Sequence, residues 1–415
     1  MEVIAAGDEV AFGPSSRSPL GELGVAIILA GAFGAVMLDR MIQLFLAPAL
    51  SEDLHLTASQ LGVLAGVVSF AWAVSTVLFG VISDRVGRKR VIVPAVIAFS
   101  IMSILSGLAR NYHELLMARA LLGLCEGPCW SVIMALMADL SSESRRGRNI
   151  GIINCVGALA GSALAPIFAT QIAAAFGWRM AFFLAGIPGF VFALGILLWV
   201  PEHKRIPPKT KEPPHLAEIV KSPDMWLCLL AATCFTTFLM SFSLFAPLFL
   251  SKASGLDGRT IGYVMALSGA GGVVYGLLGP ASSDRFGYTR VLLVCAAASA
   301  LLAILFLTGP NLPWPLLGFG AFILTTVPAV GTLLLVLLPV AFAPARAAAS
   351  AIGFVAIGAE GVGAALGPVI AGYASDHWGM SAPLLLCTGT MCVVMVIGLI
   401  LHQKSRASRS KRSTE

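Results

Sequence analysis

Long apolar runs alternate with short polar segments along the whole chain. A helix that crosses a bilayer needs about 20 apolar residues. Runs of that length can be counted near residues 22–48, 58–82, 90–109, 112–138, 149–173, 179–200, 225–250, 260–282, 289–308, 314–340, 348–373 and 381–402. The pattern therefore predicts an all-α membrane protein, with 12 transmembrane helices in two six-helix bundles.

The composition agrees with a membrane protein and argues against several other classes. Only 12% of the 415 residues are charged and 58% are hydrophobic, whereas soluble domains carry about 25% charged residues. Such a chain has too little polar surface to cover itself in water. This argues against a soluble enzyme, a disordered scaffold or a nucleic-acid binder. The sequence also has no nucleophile–base or metal-ligand cluster, so we predict no enzymatic activity, no cofactor and no metal site.

The positions of Lys and Arg predict the orientation. If the N-terminus is cytoplasmic, 21 of the 27 Lys and Arg residues fall on the cytoplasmic side and 4 on the other; Arg40 and Arg119 lie within apolar runs. The positive-inside rule then places both termini in the cytoplasm and the protein in the plasma (inner) membrane. Residues 1–20 are mixed polar, which argues against a cleaved signal peptide. The net charge of +6 is thus mostly a matter of topology.

The same pattern divides the chain into five parts. We predict a cytoplasmic tail at 1–21, an N-terminal bundle at 22–200, a cytoplasmic linker at 201–224, a C-terminal bundle at 225–402 and a basic cytoplasmic tail at 403–415. The linker holds six prolines among several lysines, a composition typical of a semi-stiff spacer. We expect a monomer surrounded by lipid.

The two bundles repeat each other at an offset of 200 residues. The repeated positions are Asp84, Arg85 and Gly87 with Asp284, Arg285 and Gly287, and also Pro128 with Pro328, Arg146 with Arg346, Gly161 with Gly361, and Trp178 with Trp378. Parallel repeats of six spans imply a pseudo-two-fold axis along the membrane normal and a central cavity between the halves.

Charged residues inside the apolar runs are not repeated. At the same offset, Asp39, Arg40, Arg119 and Glu126 map to Leu239, Met240, Phe319 and Thr326, and Glu360 maps to Ala160. A charge at membrane depth is costly and usually faces a partner or a water-filled cavity. One interpretation is a cavity with two cationic anchors, Arg40 and Arg119, and proton-binding carboxylates at Asp39, Glu126 and Glu360. The other is a structural ion network that pins the first and fourth helices together, with Glu360 making a local contact.

The residue types favour an anionic substrate. The guanidinium group is a planar fork that matches a carboxylate and keeps its proton. A carboxyl group in a low-dielectric site can bind and release a proton near neutral pH. An anion and a proton that share one cavity predict symport.

A polar motif joins the second and third runs. Its spacing, Gly80-x3-Asp84-Arg85-x-Gly87-Arg88, predicts a tight turn with cations near the lipid headgroups. The second copy keeps Asp284 and Arg285 but has Pro280 in place of the first glycine. We predict that Asp139 pairs with Arg88 or Arg145 as a cytoplasmic latch. Conformational gating is therefore assigned to the residues Gly80, Asp84, Arg85, Gly87, Arg88, Asp139, Asp284 and Arg285.

These motifs, with the turn Gly177-Trp178-Arg179, resemble those of the major facilitator superfamily. The Leu-Asp-Arg that ends at Arg40 and the segment Arg-Ala-Leu-Leu-Gly-Leu-Cys-Glu-Gly-Pro that begins at Arg119 resemble the anion:cation symporter family. The resemblance implies proton-coupled uptake of an organic anion by alternating access. It also implies that Arg40 contacts the substrate and that Asp39 and Glu126 carry protons.

The polar residues of the C-terminal half narrow the substrate class. The chain has four Asn and four Gln, and in the C-terminal spans only Gln403 occurs, at the very end. Because apolar walls would leave the hydroxyl groups of a sugar acid unpaired, we favour a compact or aromatic carboxylate. We expect Tyr263 and Tyr275 to help bind it, beside Arg40 and Arg119. The alternative function is proton-driven export of an amphipathic compound, which Ala165-Pro166, in place of the Gly-Pro of drug antiporters, weakens.

Overall fold

A computed structural model describes residues 20–202, 216–344 and 347–412. The predicted tail before residue 20, linker residues 203–215, Arg346 of the repeat and residues 413–415 lie outside the described residues. Twelve helices of the described chain are long and apolar enough to cross a membrane, which confirms the prediction. They are α1 (Gly21–Phe45), α2 (Ala58–Val86), α3 (Arg88–Leu108), α4 (Tyr112–Leu140), α5 (Glu143–Phe176), α6 (Trp178–Trp199), α7 (Pro223–Ala253), α8 (Gly258–Phe286), α9 (Tyr288–Thr308), α10 (Trp314–Phe342), α11 (Ser350–Trp378) and α12 (Ala382–Lys404).

Local signals in the sequence account for several helix ends. Thr57 and Gln60 form a capping box at the start of α2, in which each side chain accepts a hydrogen bond from the other residue's backbone N–H. Gly87 ends α2 with φ +111°, and Gly287 ends α8 with φ +88°. Few residues other than glycine adopt a positive φ, so these two positions form the tight turns that the repeated motif predicts.

The repeat is visible in the helix boundaries. Helices α2 and α8 begin and end 200 residues apart, as do α3 and α9. Wider π-helical turns also occur in register, at Leu159–Leu164 in α5 and at Ala359–Ala364 in α11. Two bundles with one internal architecture are therefore present.

One register assignment from the sequence is wrong. Helix α4 begins at Tyr112 and α10 at Trp314, so the offset there is 202. Phe319 is 60% exposed, whereas Ala321 is fully buried like Arg119. The counterpart of Arg119 is thus Ala321. The helix of α10 breaks at Thr325 and Thr326, just before Pro328, the residue that repeats Pro128 in the sequence.

The two halves pack against each other at one face of the protein. We call the face at which α1 begins and α12 ends the near face, and the opposite one the far face. Gly62 and Gly66 of α2 let that helix touch the backbone of α11, because a Cβ atom there would collide with carbonyl oxygens of α11. The Asp376 carboxylate of α11 accepts hydrogen bonds from the backbone N–H groups of Ala58 (3.0 Å) and Ser59 (2.9 Å). These contacts close the far face.

Candidate functional site

A buried ion pair joins α1 to α4. Arg119 Nη1 lies 3.2 Å from Asp39 Oδ2, and both side chains are fully buried. The guanidinium group also lies over the ring of Phe182, 4.1 Å from its centroid. The Ser103 hydroxyl donates to Asp39 Oδ1 and lies 2.9 Å from the carbonyl oxygen of Phe182. This arrangement matches the structural network that the sequence left open as an alternative, and Arg119 braces its own bundle.

A second ion pair joins the two halves. Arg40 Nη2 of α1 lies 3.1 Å from Glu360 Oε2 of α11. The guanidinium carbon is 4.2 Å from the centroid of the Trp72 ring, within the range of a cation–π contact. Arg40 Nε is buried and has no hydrogen-bond partner among the described residues. Part of the fork of Arg40 is therefore unused.

Glu126 is fully buried, and both of its carboxyl oxygens have no hydrogen-bond partner among the described residues. It lies on α4 two turns after Arg119. An ionised carboxylate in such a place costs several kcal/mol unless a cation or donor compensates it. Such a group requires a proton, a water molecule or a ligand to compensate it.

Two cavities meet at Met41, the residue after Arg40. The smaller has a volume of about 220 Å³ and is lined by Arg40, Gln43, Ser69 and Met240, among others. The larger has a volume of about 540 Å³, and its walls are mostly apolar. They include Phe45 of α1 and Phe238 and Phe242 of α7, together with glycines of α5 and α8. Met41 lines both, so a cationic chamber and an aromatic chamber adjoin between the halves.

Some of the predicted site residues are brought together and others are not. Arg40 lines the smaller cavity and pairs with Glu360, whereas Asp39 and Arg119 bind each other within the N-terminal half. Tyr263 and Tyr275 line neither cavity; the ring of Tyr263 is half-exposed and packs against Trp314, with the centroids 6.0 Å apart. The placement of these two tyrosines in a substrate site receives no support from the geometry.

Sequence reasoning missed two residues that shape these ion pairs. Ser103 holds Asp39, and Trp72 lies under Arg40. A signal for Ser103 was present, because Ser100, Ser103 and Ser106 recur every three residues on α3 and are all buried. A stripe of hydroxyl groups along an apolar helix indicates a polar neighbour. Trp72 gave no such signal, since an aromatic residue in an apolar span is usually plain core.

At the near face, the structure contains the predicted pairing of Asp139. Arg88 Nε lies 2.9 Å from Asp139 Oδ2, and Arg88 Nη2 lies 3.8 Å from Asp84 Oδ1. Arg88, the first residue of α3, is buried. The motif thus ties the ends of α2, α3 and α4 together within one half. That this cluster controls gating stays a prediction, as it does for Gly80, Arg85 and the second copy.

The described residues form twelve long apolar helices in two repeated bundles with a charged cavity between them, an arrangement also found in transporters that consist of internal repeats. A sequence model of the Major Facilitator Superfamily matches residues 28–359, and the chain belongs to that family. It is therefore an integral multi-pass membrane protein, and its family is one of transporters, not of enzymes. The crystal structure of the nucleoside transporter NupG superimposes with a TM-score of 0.76 at 14% identity, covering 92% of this chain and 98% of that one.

Several curated relatives are named as transporters of small organic compounds. The chain is 39% identical over 157 residues to a probable 4-methylmuconolactone transporter of Cupriavidus pinatubonensis, which is 37% of this chain and 36% of the relative. It is 34% identical to the hexuronate transporter of Bacillus subtilis, over 45% of this chain and 43% of the relative. It is 26% identical to the gentisate transporter of Corynebacterium glutamicum, over 84% of this chain and 80% of the relative. The first two matches thus span less than half of each relative.

Proposed function

We propose that this protein carries a compact or aromatic carboxylate into the cell together with a proton, by alternating access. The observation that carries the proposal is the position of Arg40. Its guanidinium group is buried between the two halves and lines a cavity that adjoins a larger aromatic chamber. In this proposal the protein lies in the inner membrane with both termini in the cytoplasm, so that the near face is the cytoplasmic face.

The anion site consists of the two adjoining chambers. A substrate carboxylate binds the fork of Arg40, whose Nε still has a free donor, and Trp72 backs the guanidinium plane. The rest of the substrate lies in the larger chamber, next to the stacked rings of Phe238 and Phe242, with centroids 5.4 Å apart. The sparse polar groups of this chamber suit a ring better than a polyhydroxylated chain.

The proton site is Glu126. Because its carboxyl group is buried without a partner, the ionised form is costly and a proton is the simplest compensation. Reorientation of a loaded carrier also requires that the charge of the substrate be offset, which a proton on this helix achieves. Asp39 and Glu360 rank below Glu126 as candidate proton carriers, because Arg119 and Arg40 already compensate their negative charges.

The relatives support an organic anion as the substrate class. Those named for 4-methylmuconolactone and gentisate favour a cyclic acid. Because one relative is named for hexuronate, a sugar acid is included among the test substrates. The buried cation at Arg40 favours each of these over a cationic drug, because a cation would be repelled where an acid is bound.

The proposal is tested by uptake into proteoliposomes with an inward proton gradient. The panel comprises benzoate, gentisate, 4-methylmuconolactone, sulfoacetate and glucuronate. We expect accumulation of the cyclic acids, loss of that transport in Arg40→Ala, and no loss in the control Arg110→Ala, which changes an exposed loop residue. Normal transport by Arg40→Ala would contradict the anion site. Accumulation driven only by a gradient of the opposite direction would favour the alternative, proton-driven export.

A further inference from the structure

The cation that the proposed function gives to the substrate already binds a carboxylate. Glu360 Oε2 lies 3.1 Å from Arg40 Nη2, and the side chain of Glu360 is 29% exposed while that of Arg40 is 6% exposed. Only one bond of the fork is made, since Arg40 Nε has no partner among the described residues. Glu360 belongs to the C-terminal half and Arg40 to the N-terminal half. An arriving carboxylate therefore meets an occupied guanidinium group.

The backbone around Glu360 is held firmly. Glu360 lies in the π-helical turn Ala359–Ala364 of α11. Thr236 of α7 donates a hydrogen bond to the carbonyl oxygen of Ala359 at 2.7 Å, and Thr237 donates to that of Gly363 at 3.2 Å. These bonds fix the turn on both sides of Glu360. Its carboxylate can leave Arg40 by side-chain rotation, but its backbone stays beside the site.

We propose that Glu360 determines substrate specificity, as an internal carboxylate that competes for Arg40 and disfavours substrates with two negative charges. This inference rests on the proposed function of Arg40. In the empty site the Arg40–Glu360 pair is neutral, and so is the Asp39–Arg119 pair. A monoanion thus adds one negative charge to these two neutral ion pairs, whereas a dianion adds two.

The penalty grows with the charge of the substrate. After displacement, Glu360 remains next to the anion that replaced it, and Coulomb repulsion is proportional to the product of the charges. A dianion is therefore repelled by Glu360 about twice as strongly as a monoanion at the same distance. A residue that only held the two halves together would affect both kinds of substrate equally.

The test compares two probes of similar ring size, benzoate with one carboxylate and phthalate with two. Dissociation constants are measured at neutral pH for the full-length protein and for Glu360→Gln, which keeps the shape of the side chain and removes its charge. We expect Glu360→Gln to bind benzoate about threefold and phthalate about tenfold more tightly than the wild type. The ratio of the two constants is the readout that a structural role would not move.

Asp376→Ala is the matched control. Asp376 lies on the same helix and also joins the halves, through Ala58 and Ser59, but it belongs to the far-face contact. Its loss loosens the same interface without changing the charge beside Arg40. We expect any change in affinity to be the same factor for both probes.

The outcomes separate this inference from the proposed function. An unchanged ratio of the two constants in Glu360→Gln, or a change of that ratio in Asp376→Ala as large as the one in Glu360→Gln, would overturn the role of Glu360 alone. Failure of both the wild type and Glu360→Gln to bind either probe would overturn the proposed function and the inference with it. Glu360→Ser is measured in parallel, so that poor folding of one variant, seen in its thermal unfolding, does not decide the result.

Discussion

The two halves share one backbone plan but differ in what they bury. The N-terminal half buries Asp39, Arg119 and Glu126, where the C-terminal half has Leu239, Ala321 and Thr326. Thr326 donates a hydrogen bond to the carbonyl oxygen of Cys295 at 2.6 Å, so its polar group is satisfied. Glu126 has no such partner in the described chain. A bundle of this shape therefore forms without these charges in the C-terminal half, and Glu126, which has no partner in the described chain, points to a task located in one half.

Unlike the buried charges, the contacts between the halves are similar on the two sides of the protein. On one side α2 packs on α11 at Gly62, and on the other α8 packs on α5 at Gly269, where an added Cβ atom would collide with a backbone carbonyl oxygen in each case. Gln171 of α5 also donates a hydrogen bond to the carbonyl oxygen of Arg259. Both halves thus contribute similar surfaces to closure. The helix packing is thus common to both halves, whereas the buried charges belong to the N-terminal half.

The largest effect is expected from breaking the buried pair of α1 and α4. Arg119→Met leaves the buried Asp39 without its cationic partner, which should cost about 3–5 kcal/mol of unfolding free energy. The double variant Asp39→Leu with Arg119→Met gives this place the apolar character of the C-terminal half, and should recover most of that loss. Thermal unfolding in detergent measures both. A double variant no more stable than the single one would contradict the conclusion that such a bundle forms without these charges.

The next effect concerns proton coupling. If one proton accompanies each monoanion, a one-unit inward pH gradient supports about tenfold accumulation. Glu126→Gln should reduce the accumulation to about onefold while keeping exchange of substrate across the membrane, because the anion site is intact. Thr326→Val is the control at the corresponding position of the other half, and it should keep the accumulation. Gradient-driven accumulation by Glu126→Gln would remove Glu126 from the coupling.

A smaller effect is expected at the far-face contact. A Cβ atom on Gly62 would collide with the carbonyl oxygen of Pro368, which cannot move without its helix. Gly62→Ala should therefore increase the reactivity of a cysteine placed at Ser59 towards a membrane-impermeant reagent added at the far face. Gly353→Ala, in open space on α11, is the control and should change nothing. Equal labelling of both variants would show that α2 and α11 do not form the closure.

The smallest effect on stability is expected from the cluster of Asp53, Trp178 and Arg179 in the N-terminal half. Hydrogen bonds from Trp178 Nε1 and Arg179 to the Asp53 carboxylate lower the pKa of Asp53 below its ordinary value of 3.8. A lowered pKa means that this stabilisation is fully present above about pH 3.8 and is lost as the pH falls through the folded-state value. At pH 6 the wild type should unfold about 1 °C above Asp53→Asn, since exposed pairs contribute little. This gap should shrink below pH 3.8; a gap independent of pH would refute the assignment.

Sequence reasoning reached the helices and the charges but not how the charges pair. The twelve spans follow from hydrophobic length, which the bilayer fixes, and the confirmed turn at Gly87 follows from a motif. Whether Arg40 binds Asp39, Glu126 or Glu360 depends on how helices that are distant in sequence face each other. Local sequence patterns do not predict this arrangement. The register of Phe319 was wrong because the loop 309–313 before α10 is two residues longer than the loop 109–111 before α4. Tyr263 and Tyr275 were chosen by residue type, and residue type does not reveal which side of a helix faces a cavity.

The central claim is that Arg40 holds the substrate carboxylate. Trp72 lies under the guanidinium group, 4.2 Å from its carbon to the ring centroid, so its fluorescence reports directly on this place. A titration of the purified protein with gentisate should give a saturable change in fluorescence that disappears in Trp72→Phe, which identifies the source of the signal. In Arg40→Ala the account predicts no saturable binding of gentisate by calorimetry. Binding of gentisate to Arg40→Ala with the wild-type dissociation constant would contradict it.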